Sequence, residues 1–139
     1  MNTALLEEPR GASAREEWTQ ALGALEQHLT QWAQEEGWQV HAVSRGLTEE
    51  AIGQYAVRDL VLETPQREQL LVEVKGRGPL EASGRVQVSA WPTLFRVVLL
   101  HKSGEEGWLI RTDSGIPLRQ PWNRETFIAL AKDLLNAEQ

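Results

Sequence analysis

Apolar residues recur early in the chain at spacings of four, three, four and three: Trp18, Leu22, Leu25, Leu29 and Trp32. That is the period of an α-helix with a single apolar stripe. Ser13 with Glu16 three residues on forms a capping-box pattern, and Gly37 supplies a stop. A helix over residues 13–36, packed on a sheet, is therefore predicted. Residues 1–12, with Pro9 and Gly11, read as a flexible leader, leaving 13–139 as one domain.

Beyond Gly37 the period changes to two. Residues 38–43 alternate as a strand, and 44–53 read as a polar connection with a turn of helix over 48–52. Two apolar strands follow at 55–62 and 70–75, around a turn at Pro65-Gln66. The Gly- and Pro-containing run 76–84 reads as a mobile loop. Residues 85–91 fit either a strand or a short helix stopped by Pro92. Residues 95–100 read as a buried strand, and 108–112 with 116–119 as a hairpin about Asp113-Ser114-Gly115. Asn123 caps a last helix whose inner face is Phe127, Leu130, Leu134 and Leu135. The order predicts an α/β domain with a central mixed sheet, flanked by a long N-terminal helix and a C-terminal helix.

Composition narrows the class. A length of 139 residues suits one domain, and no run approaches the roughly 20 apolar residues that span a bilayer. The absence of cysteine excludes disulfides and thiolate metal sites, and with no signal-peptide pattern the expectation is a cytoplasmic protein. Although the net charge is −6, its distribution is uneven. Residues 1–74 hold five Lys/Arg against thirteen Asp/Glu, whereas residues 75–124 hold eight against four. A basic second half makes Arg77, Arg85 and Arg96 candidates for phosphate contacts, although a solvated surface gives the same count.

One stretch carries candidate chemistry. Asp59 lies on the second predicted strand and Glu73-Val74-Lys75 on the third. Strand side chains alternate, so Glu73 and Lys75 share one face. If the strands are neighbours, two carboxylates and an ammonium converge. Such a group holds a hard divalent cation and steers a water, as metal-assisted phosphodiester hydrolysis requires.

With Asp59 on the second strand, Glu73-Val74-Lys75 on the third and an amphipathic helix leading, the chain resembles the PD-(D/E)XK, or restriction endonuclease-like, nuclease superfamily. The wording LLVEVKGRG is similar to segments of small Holliday junction resolvase-like nucleases. The resemblance covers roughly residues 20–101. It implies a nuclease cleaving nucleic acid, DNA ahead of RNA, with Mg²⁺ or Mn²⁺ held by Asp59, Glu73 and the Val74 carbonyl. Lys75 would orient the attacking water, Glu26 on the first helix would complete the site, and Gln87 would follow on a second helix. A homodimer formed through an exposed strand edge is a further expectation. Arg58 stands where the family has Pro, and 80–94 is poor in helix formers. The alternative is a non-catalytic module of the same fold that serves as a binding or assembly partner. An unrelated α/β protein with these three residues in a salt-bridge cluster would give the same pattern. The three histidines show no ligand spacing, and Gly76-Arg77-Gly78 lacks the length of a phosphate-binding loop.

Overall fold

The computed structural model describes the backbone of residues 4–77, 84–91, 96–101, 107–111, 117–118 and 122–136. It describes side chains within these ranges from residue 13 onward, except at 117, 118 and 136. Helix α1 (Ala4–Glu35) is followed by strands β1 (Gln39–Glu49), β2 (Gly53–Glu63), β3 (Gln69–Gly76), β4 (Gly84–Trp91), β5 (Arg96–His101), β6 (Leu109–Arg111) and β7 (Pro117–Leu118). Helix α2 (Arg124–Asn136) closes the chain. The seven strands lie in sequence order in one sheet. Every pairing is antiparallel, so the expected mixed sheet is corrected to a meander.

The correction comes from β4. Gly84, Val86, Val88 and Ala90 are buried while Arg85, Gln87, Ser89 and Trp91 are not, a clean period of two. The apolar residues occupy one face only, so a strand pairing with both neighbours satisfies this segment and a helix does not. With 84–91 a strand that pairs beside β3 rather than a second helix, β3 and β4 are antiparallel neighbours. Gln87 therefore sits on a strand opposite Glu73, not on a second helix.

Two further segments differ from expectation. The presumed connection 44–53 is the second half of β1 and a short turn. In that half Arg45, Leu47 and Glu49 are half-buried between exposed Ser44, Gly46 and Thr48. The turn closes with the Ile52 N–H on the Glu49 carbonyl, and Gly53 takes φ +81°. No helical turn forms at 48–52. Helix α1 begins at Ala4 rather than at the Ser13 cap, in keeping with the strong helix formers Ala4-Leu5-Leu6-Glu7-Glu8. The turn at 113–115 lies outside the described residues, but β6 and β7 on either side pair as a hairpin should.

Both helices supply one core. From α1 come Trp18, Leu25, Leu29 and Ala33, from α2 Phe127, Ala131, Leu134 and Leu135, all buried. They meet Leu60, Leu62, Leu70, Val72, Val74, Val86, Val88, Val97 and Leu99 from the sheet. The start of α2 is fixed by Asn123, whose Oδ1 accepts the Thr126 N–H at 2.9 Å. None of the described helices is long and apolar enough to cross a membrane.

Candidate functional site

The predicted acids meet at a place where two strands part. Strands β2 and β3 pair through Leu60–Glu63 and Gln69–Val72. Their described ladder ends at Leu60↔Val72, although β3 continues to Gly76. Past that point the backbone groups of β3 need other partners. Two side chains supply them at Val74. Asp59 Oδ1 accepts the Val74 N–H at 2.9 Å, and Arg45 Nη2 donates to the Val74 carbonyl. Three residues further along, the Arg77 N–H donates to both Glu49 carboxylate oxygens at 3.0 Å.

Arg45, Glu49, Tyr55 and Asp59 belong to one face of the β1–β2 hairpin. In its register Arg45 faces Val57, Leu47 faces Tyr55 and Val43 faces Asp59, so odd-numbered side chains share a side. That face turns onto β3 and completes its bonding with side chains. The burial of β2 records the change. Tyr55 and Val57 are buried on odd positions, Leu60 and Leu62 on even ones, and Asp59 sits at the switch.

Within this seam Arg45 and Asp59 form a close pair. Arg45 Nε donates to Asp59 Oδ2 at 2.6 Å, and Nη2 reaches Oδ1 at 3.3 Å. The forked geometry is a strong form of charge-assisted bond. The hydrogen bond it donates to Asp59, aided by the charges of Asp59 and Glu73, holds the Arg45 guanidinium above its ordinary pKa against the opposing effect of burial. Arg45 stays cationic throughout. Lys75 Nζ lies 3.8 Å from Glu73 Oε2, with both side chains well exposed, a contact of small energetic weight.

Asp59, Glu73, Val74 and Lys75 are thus brought together, but with a guanidinium among them. Of the three groups expected to hold Mg²⁺ or Mn²⁺, the Asp59 carboxylate and the Val74 carbonyl both accept from Arg45. A divalent cation needs six or more oxygen ligands and strong negative charge. Here two acids face two cationic side chains, so the arrangement as it stands does not fit that ion. Among the described residues no three His, Asp or Glu side chains gather in a metal-binding group.

The other expected residues are placed as follows. Glu26 pairs with Arg58 Nη1 at 3.2 Å. Arg58 and Asp59 are consecutive strand residues and point to opposite sides, so Glu26 engages β2 from the side away from Asp59. There Glu26, Arg58, Leu22, Leu25, Ala56 and Leu60 help to line a cavity of about 240 Å³. Arg77 is only 4% exposed, so its expected phosphate contact is corrected: its side chain is buried at the end of β3. Arg85 and Arg96 are exposed on the face of the sheet opposite the core, in company with Lys75 and half-buried Gln87 and Arg111.

A second polar chain, absent from the expectations, joins the hairpin to α1. Trp18 Nε1 donates to Tyr55 Oη at 3.1 Å, and the Tyr55 hydroxyl donates to the Glu49 carboxylate. Burial, then the bond to Glu49, pushes the Tyr55 phenol well above its ordinary pKa, with the Trp18 bond opposing. Arg45 and Glu49 are not among the expected site residues because the polar composition of 44–53 reads as a connection. The alternation of Arg45, Leu47 and Glu49 with small or polar neighbours is the signal that identifies them.

No family model, curated protein or solved structure matches this chain.

Proposed function

We propose that this chain is a non-catalytic binding or assembly module, in which the acid-and-lysine pattern of a nuclease serves as a brace between strands. The observation that carries this reading is Arg45. Its guanidinium contacts the Asp59 carboxylate and the Val74 carbonyl together, the groups a catalytic cation would have to claim. An arginine is permanently charged and rigidly forked, so it competes well for such a position. The exposed cations Lys75, Arg85 and Arg96 on the outer face of the sheet favour a polyanionic partner, with DNA ahead of RNA.

The second reading is a Mg²⁺- or Mn²⁺-dependent nuclease. It is favoured by the placement of Asp59 and Glu73 about one peptide, with Lys75 beside them. In that case Arg45 would have to leave when metal and substrate arrive together.

Calorimetric titration with Mn²⁺ separates the two. A brace predicts no binding by the wild type at millimolar metal and a new weak site in Arg45→Ala, where Asp59 and Glu73 lose their guanidinium. Binding by the wild type that disappears in Glu73→Ala would replace the brace with the nuclease reading.

A further inference from the structure

The outer edge of β1 carries an inference that holds whether or not Asp59 meets a metal. Among the described residues, strand β1 is the first in the sheet order and pairs with β2 alone. Its eleven residues run in unbroken register with β2, without bulge or proline. The opposite edge of the described sheet is β7, over Pro117–Leu118. Natural edges are ordinarily shortened, bulged, or guarded with Pro or Lys. Strand β1 has none of these devices, and its charged side chains Arg45 and Glu49 are bound inward to Asp59 and Arg77.

Its faces are open as well. His41, Ala42, Val43 and Ser44 are four consecutive exposed residues, so solvent reaches both sides of the strand, and Val43 is 54% exposed. An antiparallel sheet usually covers one face. A long, unbroken edge strand, exposed on both faces over residues 41–44, is a surface for strand addition.

We infer that β1 pairs antiparallel with β1 of a second copy, joining two sheets across a two-fold axis at Ser44. The sequence is self-complementary in that register. Ser44 meets Ser44 of the second copy, Val43 meets Arg45, Ala42 meets Gly46, His41 meets Leu47, Val40 meets Thr48 and Gln39 meets Glu49. No like charges oppose one another, and the small residues Ala42, Ser44 and Gly46 lie together on one face. Centring on Arg45 sets arginine against arginine, and centring on Val43 sets His41 against Arg45, both unfavourable cross-strand pairs. A two-fold contact of this kind closes at the dimer.

The chain has no cysteine, so one introduced thiol reports the axis without background. Ser44→Cys is expected to form a disulfide-linked dimer under mild oxidation in native buffer. Light scattering at about 100 µM is expected to give twice the 15.7 kDa chain mass for the wild type. Val43→Lys should weaken the dimer about tenfold or more, because symmetry sets the new charge against Arg45 twice. Val43 lies outside the core, and tryptophan fluorescence verifies that the variant is folded. A monomeric wild type, a dimer indifferent to Val43→Lys, or a Ser44→Cys variant that stays unlinked would each overturn the inference.

Discussion

Tyr55 shows how one residue ties distant parts of the chain together. Its hydroxyl stands between the Trp18 indole of α1 and the Glu49 carboxylate of β1, and Glu49 in turn accepts the N–H after β3. Its folded-state pKa is raised above the ordinary value of about 10. A raised folded pKa means that the contribution to stability is complete below about pH 10 and is lost as pH rises from there toward the folded value. Tyr55 is the only tyrosine, so the phenolate difference absorbance at 295 nm has a single source, over the background of the six tryptophans. Phenolate should appear well above pH 10, together with the loss of tryptophan fluorescence that marks unfolding. Titration at about pH 10 with the fold intact would show that the hydroxyl is not held as described. Asp59 teaches the complementary lesson. An acid on the second strand and an Glu-x-Lys on the third were visible in the sequence, but the partner that decides their chemistry, Arg45, lay in a segment that looked like a loop.

At the scale of elements, the helices and the core strands were legible because their periods are strong. The stripe from Trp18 to Trp32 and the α2 face Phe127, Leu134 and Leu135 meet the core as expected, with Leu22, Trp32 and Leu130 only partly buried. Strand β4 was ambiguous because Val-Gln-Val-Ser-Ala fits a short helix or a strand, and only its neighbours decide. Helix and sheet approach closely at Gly84, where an added Cβ would overlap the ring of Trp18. Trp18 is 1% exposed, and its ring packs against His101 and Trp108. Gly84→Ala should therefore destabilise the fold by about 1–3 kcal/mol in urea unfolding. Gly23→Ala, on the exposed side of α1 with nothing within 4 Å, should be neutral or slightly stabilising. Equal effects at the two positions would mean that Trp18 does not pack on β4 in this way.

At the scale of the molecule, the described strands form a seven-stranded antiparallel meander whose first hairpin turns a polar face onto β3. The layout of a long first helix, central sheet and closing helix could be read from hydrophobic pattern alone. The antiparallel connectivity could not, since it depends on one segment being strand rather than helix. Nor could the hairpin seam, because it joins residues through side chain to backbone bonds at separations of 15 to 29 residues. Short-range periodicity carries no trace of such contacts. The same seam leaves the far side of β1 open, which links the brace to the proposed dimer: Arg45 and Glu49 turn inward, and the outer edge keeps little charge.

The central claim is that Asp59 braces strands through Arg45. A double-mutant cycle of Arg45→Met and Asp59→Asn, followed by urea unfolding in EDTA and in Mn²⁺, tests it most directly. The Arg45 side chain is 36% exposed, which moderates the pair. The account predicts a coupling of about 1–2 kcal/mol that Mn²⁺ leaves unchanged. A coupling near zero, with Mn²⁺ stabilising the wild type but not Asp59→Asn, would contradict it and mark Asp59 as a metal ligand.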